Sequence, residues 1–245
     1  MKRGLIAWLL SGATLAAAQG FPERPIQMVV PFGPGGTTDI MARLLADEFG
    51  RQVGGSVVVI NMAGAGGSIG MGNVARARAD GYTVSMTTVG PLTIQLQLLR
   101  NAGSTGTHVP YRSTGDMIVP LKNGEIEAFN ETPPVAVQHQ LRPLVSLSDA
   151  PALGFESVPT AKQLGLPVRG TVWGGLVAPK GLPADVRNKL EAACQRATAT
   201  TLYKARAQAA NSPLVWRSGE DFKRFSLTEF ESFKKQVALN GLQER

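Results

Sequence analysis

Two short apolar runs, Ile26 to Val30 and Val57 to Ile60, each pass through a glycine-rich loop into a stretch whose apolar residues recur at helical spacing. Runs of four or five residues rich in valine and isoleucine are too short for buried helices and read as buried strands. After the first, Asp39 to Gln52 places Ile40, Met41, Leu44, Leu45 and Phe49 on one helical face, with Thr37 or Thr38 as the predicted N-cap. After the second, Ile69 to Ala77 is helix-compatible, and the Asp80-Gly81 turn leads into a third strand, Tyr82 to Thr87. Strand, helix, strand, helix, strand predicts an α/β fold: a parallel sheet with helices packed on its faces.

The middle of the chain is less regular. Leu92 to Ala102 has a helical pattern, His108 to Tyr111 is short and extended, and Asp116 to Lys122 reads as a helix that Pro120 should kink or shorten. Ile126 to Phe129 and Leu144 to Leu147 are predicted strands. Regular patterning returns with a strand at Trp173 to Val177 and a helix opened by Pro183 that runs past Cys194. A last helix from near Glu220 carries Phe222, Phe225, Phe230 and Phe233, expected in the core. A break near residue 91 that is repaired near 172 predicts a second domain inserted into the first.

The two glycine loops are the strongest functional signal. The first is Pro31, Phe32, Gly33, Pro34, Gly35, Gly36, Thr37, Thr38 and Asp39; the second runs from Asn61 and Met62 through Ala63, Gly64, Ala65, Gly66, Gly67 and Ser68 to Ile69 and Gly70. In open α/β sheets, ligands bind beyond the carboxyl ends of the strands. Glycines let the backbone approach a ligand, and the N–H groups at a helix start favour an anion. Two such loops on neighbouring strands predict a pincer for a carboxylate or a phosphate. Phosphate is the weaker choice, because no P-loop lysine follows Gly35-Gly36-Thr37-Thr38 and neither loop has dinucleotide-binding spacing.

Enzymatic alternatives are thin. Gly66-Gly67-Ser68-Ile69-Gly70 matches the GxSxG pattern of a serine hydrolase, but several residues separate Ser68 from its strand, where a nucleophile elbow has none. The two histidines, His108 and His139, lie far from the chain end where that fold supplies its base. Two histidines and one cysteine, widely spaced, give no metal-ligand spacing, so no metal and no cofactor is expected. Asp39 could meet a ligand amine or brace its own helix, the second being the default.

Composition sets the surroundings. Hydrophobic residues make up 43% and charged residues 18%, as in a globular protein. Lys2-Arg3, the apolar stretch Gly4 to Leu15 and Ala16-Ala17-Ala18 read as a secretory signal peptide over residues 1–18, too short in its apolar part to span a bilayer. The predicted location is the periplasm. Formal net charge is +7, and removal of Lys2 and Arg3 leaves it at +5 without a basic cluster that would suit nucleic acid. The single cysteine, Cys194, allows no intrachain disulfide.

With these residues in place, the chain resembles the solute-binding receptors of tripartite tricarboxylate transporters, the Bug-type proteins. VVPFGPGGTTDIMARLLADEFG, VVVINMAGAGGSIG, DGYTVSMTT, HVPYRSTGDM, SVPTAKQLGLP and WGGLVAPKGLPADVRNKL carry the resemblance, in family order. It implies a two-domain clamshell of the type II periplasmic-binding-protein class, without catalytic activity. It further implies a monomer that passes a small carboxylate solute to membrane permease subunits. The resemblance puts ligand contacts on Gly33 to Asp39, on Ala63 to Ser68 and on Thr87 and Thr88.

Three departures stand out. Met62-Ala63 replaces a usual Arg-Pro, and Asn130 stands where many members carry an aspartate facing the ligand. The third is an absence: several dozen residues that follow the third strand in the family pattern have no counterpart. The expected organisation is domain one over 19–91 and 172–245, with a reduced, truncated domain two over 92–171. A receptor that folds but no longer delivers a solute is a further alternative.

Overall fold

The computed structural model describes residues 20–88, 109, 111, 113–166, 170, 172–212 and 215–239. Strand β1 (Ile26–Val30) lies at the centre of a four-stranded sheet in the order β2-β1-β3-β4. It pairs in parallel with β2 (Val57–Asn61), Ile26 opposite Val57, and with β3 (Thr83–Thr88), Gln27 opposite Thr83. The fourth strand, β4 (Gly174–Val177), runs antiparallel to β3, with Ser85 opposite Val177. The sheet is therefore mixed. The parallel expectation holds for the three strands joined by short helical crossovers and fails for β4, which arrives from a long return with no such constraint on its direction. As an outer strand, β2 is only partly covered, and Val58 is 47% exposed.

One face of the sheet carries the core. Helix α1 (Thr37–Val53) sets Ala42, Leu45, Phe49 and Val53 against Ile26, Met28 and Val30 of β1 and Val84 and Met86 of β3. Towards the C-terminus, α5 (Ala184–Ala199) adds Val186, Leu190, Ala193 and Ala197, and α6 (Thr201–Ala209) adds Tyr203 and Ala207. The two helices meet at Thr200, whose hydroxyl accepts from the Tyr203 N–H at 3.1 Å. Helix α2 (Ser68–Arg76) covers the other face, where the buried Ser85 hydroxyl donates to the Val29 carbonyl at 2.9 Å.

Helix α1 begins two residues before the predicted Asp39, and its N-cap is Gly36 instead of Thr37 or Thr38. Both threonine side chains are engaged elsewhere, as described below. Pro120 sits inside α3 (Gly115–Asn123), which continues past it for three residues. Helix α4 (Pro133–His139) follows, opened by two prolines.

The predicted strands at Ile126 to Phe129 and Leu144 to Leu147 are not formed. The first is irregular, and the second contributes one isolated bridge, Ser146 with Thr160. An isolated strand leaves its own N–H and C=O groups without a ladder partner, and among the described residues no second sheet offers one. The predicted helix at Leu92 to Ala102 lies outside the described residues, as do His108 and Pro110 of the predicted extended stretch.

In α7 (Gly219–Leu239), Phe222 and Phe225 stack edge-on against Trp173, with ring centroids 5.5 and 5.2 Å away. Phe230 is 61% exposed and is not a core residue, because the buried cluster is built from the sheet, α1, α5 and α6 and takes in no residue of α7 among those described. Among the described residues no helix is long and apolar enough to cross a membrane.

Candidate functional site

Loop 1, Pro31 to Gly36, is shaped by one carboxylate. The Asp39 side chain, 6% exposed, accepts from the Gly35 N–H at 3.0 Å, from Arg43 Nε at 3.0 Å and from Asn61 Nδ2 at 3.0 Å. Asn61 Nδ2 also donates to the Phe32 carbonyl at 3.0 Å, and Arg43 Nη2 donates to Asn61 Oδ1 at 3.1 Å. Burial alone would raise the Asp39 carboxyl. The hydrogen bonds from Arg43, Gly35 and Asn61, with the Arg43 charge, outweigh it and hold the group below its ordinary value. Asp39 thus braces the loop at the head of its own helix. The Asn61 link fastens this brace to the end of β2, where loop 2 starts.

Loop 2 turns tightly. Gly64, Ala65, Gly66 and Gly67 have φ of 135°, 46°, 62° and 96°, so four successive residues occupy conformations that favour glycine. Gly67 is buried under loop 1: a Cβ there would stand 3.3 Å from the Phe32 ring. At Gly70, a Cβ would lie 2.7 Å from the Met62 carbonyl oxygen and 2.9 Å from Pro31 Cα, so α2 rests directly on loop 1. The two loops are one packed unit at the carboxyl ends of adjacent parallel strands. Ala63, Ala65, Gly66 and Ser68 remain exposed, and Gly64 is half-buried. Ser68 begins α2, a full loop beyond the end of β2, which is not the geometry of a nucleophile elbow.

Across from loop 1 stands a cluster from the middle of the chain. The Thr37 hydroxyl donates to Glu131 and lies 2.6 Å from the Thr132 hydroxyl, while the Thr114 hydroxyl donates to the other Glu131 oxygen at 3.0 Å. Burial raises the Glu131 carboxyl, and the hydrogen bonds from Thr37, Thr114 and the Thr132 backbone only partly offset it. Contact here is close: a Cβ at Gly33 would stand 2.7 Å from Ser113 Cβ, and one at Gly36 3.3 Å from Thr114. His139 Nε2 lies 3.5 Å from the Gly35 carbonyl. Beside loop 1, Thr38 and Thr88 share a hydrogen bond of 2.6 Å at the end of β3.

From this clasp a cavity of about 1250 Å³ runs into the molecule. Thr37, Asn130, Glu131 and Thr132 stand on its wall together with Leu45, Phe49, Met86, Trp173, Leu176 and Cys194. Among the described residues, Trp173 Nε1 is the buried side-chain donor without an acceptor.

The structure places Phe32, Gly33, Gly35, Gly36, Thr37, Thr38 and Asp39 on loop 1 and the head of α1, with loop 2 packed against Phe32 and with Thr88 beside Thr38. Thr87 is half-buried one residue back on β3, and Asn130 lies on the cavity wall. The neighbouring Glu131 accepts from Thr37 at the head of α1. Sequence reasoning missed Glu131 and Thr114, and it placed Asn61 in the second loop without its bonds to Asp39 and Phe32. A polar residue closing an apolar strand was a usable signal for Asn61, and an acid just before Thr132-Pro133-Pro134 was one for Glu131.

The family model described as "Tripartite tricarboxylate transporter family receptor" matches residues 41–95 and 91–239. The chain belongs to this family. It is a solute-binding receptor. BugT of Bordetella pertussis is 30% identical over 243 aligned positions, covering 69% of this chain and 74% of that protein. The periplasmic binding protein BugD superposes with a TM-score of 0.84 at 21% identity, covering 92% of this chain and 100% of that one. MatC of Rhodopseudomonas palustris, solved with bound malate, gives a TM-score of 0.80 at 23% identity, with coverage of 89% and 100%. At these identities the solved structures establish the fold, a periplasmic-binding-protein fold. BugD is a periplasmic binding protein.

Proposed function

We propose that this receptor captures a small carboxylate-bearing solute at the joined loops 1 and 2 and passes it to membrane permease subunits. One observation carries the reading. Two glycine loops at the carboxyl ends of adjacent strands are locked together, and they present the N-terminus of α1, whose first N–H groups have no side-chain cap. Such groups, backed by the dipole of a 17-residue helix, favour an anion. The malate bound to MatC is of the same chemical class.

Residues 33–39, 63–68, 87, 88 and 130 are the ligand-side residues of this reading, to which the clasp adds Glu131 and Thr114. The protein acts in the periplasm after loss of residues 1–18, as a monomer. Residues 19–91 and 172–245 form domain one, and 92–171 a reduced domain two. Two features support a missing block after β3. The family model matches in two pieces that meet at residues 91–95, and the BugT alignment runs over more positions than this chain fills.

A thermal-unfolding screen against di- and tricarboxylates, amino acids and aromatic acids tests the reading. A solute present at one hundred times its dissociation constant stabilises the folded state by about 2.7 kcal/mol. For a chain of this length that amounts to a rise of roughly 5–10 °C. Stabilisation by carboxylates, lost when the carboxylate is replaced by its amide, is expected. Stabilisation by none of them would overturn it.

A further inference from the structure

Glu131 stands where the receptor reading puts the carboxylate of a solute. Two helices begin there. Thr37 is the first residue of α1 and Thr114 is the N-cap of α3, and among the described residues neither helix start has a side-chain cap on its N–H groups. Their hydroxyls donate to the two different oxygens of the Glu131 carboxylate, that of Thr114 at 3.0 Å. The Thr132 hydroxyl completes the cluster, 2.6 Å from that of Thr37. Helix starts carry partial positive charge, so a carboxylate held between two of them is the group such a place favours.

The glycine surface of loop 1 is also met from within the chain. A Cβ at Gly33 would stand 2.7 Å from Ser113 Cβ, and one at Gly36 3.3 Å from Thr114. On the opposite side, a Cβ at Gly115 would lie 2.9 Å from the Pro34 carbonyl oxygen. The close approach that glycine allows is made here by residues 113–115. Glu131 is half-buried at the cavity mouth, so part of it already meets water. A second carboxylate cannot share the two hydroxyls, because each has one proton to give and like charges at that range repel.

We infer that Glu131 is an internal competitor that holds the anion seat of the empty receptor, and that a solute carboxylate binds by displacing it and taking over Thr37 and Thr114. The clasp stays joined, with the solute in place of Glu131. This rests on the receptor reading above and adds to it a device that sets affinity: apparent binding weakens by the fraction of time for which the seat is free.

Thermal unfolding and calorimetric titration of wild type and Glu131→Ala with acetate, acetamide and malate test it. Acetate should stabilise Glu131→Ala by filling the emptied seat and should leave the wild type unmoved, while acetamide stabilises neither. A seat held by Glu131 for about nine-tenths of the time predicts about tenfold tighter malate binding in the variant. If Glu131→Ala does not fold, Glu131→Gln decides, because it keeps the side-chain length without the charge and should also bind malate more tightly than the wild type. Acetate that acts on both forms alike or on neither overturns the inference. Malate binding that is unchanged or weaker in the variants overturns it and leaves the carboxylate receptor standing. Acetate rescue, with none of the screened carboxylates bound by any form, keeps Glu131 as the occupant of the seat and removes the receptor reading.

Discussion

The Thr37 hydroxyl donates to the Glu131 carboxylate across 94 residues of sequence, joining the first turn of α1 to the segment that opens α4. Thr114 donates to the other oxygen of the same carboxylate, so Glu131 ties three separate parts of the chain at the mouth of the cavity. Such a junction holds the head of α1 against the middle of the chain.

Glu131 makes stability depend on pH in a defined direction. Its folded carboxyl is raised by burial, so the folded state holds a proton that the unfolded chain has already lost. Its favourable contribution is complete below the ordinary glutamate value and is lost as pH rises through the raised folded value. Denaturant unfolding of wild type and Glu131→Gln, from mildly acid to neutral pH, should show stability falling with pH in the wild type across this window. The variant should lack that component. Identical slopes in the two proteins would contradict it.

Asp39 behaves in the opposite sense. Its folded value is lowered, so its contribution is present above the unfolded aspartate value and is lost as pH falls through the lowered one. Asp39→Asn should cost about 1–3 kcal/mol, discounted for the 54% exposure of Arg43, and should also weaken solute binding by loosening Gly35. Unfolding curves and a binding titration read both. A variant as stable as wild type would show that the brace is not needed.

Gly70 and Ser68 make a paired test of loop 2. Gly70→Ala pushes a methyl against Met62 and Pro31 and should destabilise by about 1–3 kcal/mol. Ser68→Ala, at an exposed position, should change stability by less than about 0.5 kcal/mol. Solute binding should survive the serine change, and ester substrates should not be turned over by either form. Turnover that disappears with Ser68 would reinstate hydrolysis.

At Gly175 an added methyl runs into the Phe222 ring, which is itself packed on Trp173. Gly175→Ala should lift α7 away from β4, lower the unfolding temperature and change the fluorescence of Trp173. Unchanged fluorescence would mean that α7 does not depend on this contact.

The local pattern made some of the molecule legible. β1, β2, β3, α1, α2 and α5 could be read from sequence because each carries its own periodicity and sits beside its partner in the chain. So could the glycine loops, whose backbone demands fall on consecutive residues. Glu131 was not legible as the partner of Thr37, since nothing local to either residue encodes a contact across such a separation. The N-cap at Gly36 was missed for the same reason: capping propensity favours threonine, but Thr37 and Thr38 spend their hydroxyls on Glu131 and Thr88. Phe230 was misread as core because helical spacing shows which face is apolar and not where its cover ends. The strands expected at 126–129 and 144–147 had suitable residues but, among the described residues, no sheet beside them.

Hydrogen–deuterium exchange, with and without the carboxylate that gives the largest thermal stabilisation, tests the central claim most directly. Binding at the joined loops under the clasp predicts slowed exchange at residues 33–39 together with residues 113–116 and 131–139, both sides of the same mouth. Slowed exchange on only one side, or at neither, would place the solute elsewhere and contradict the account.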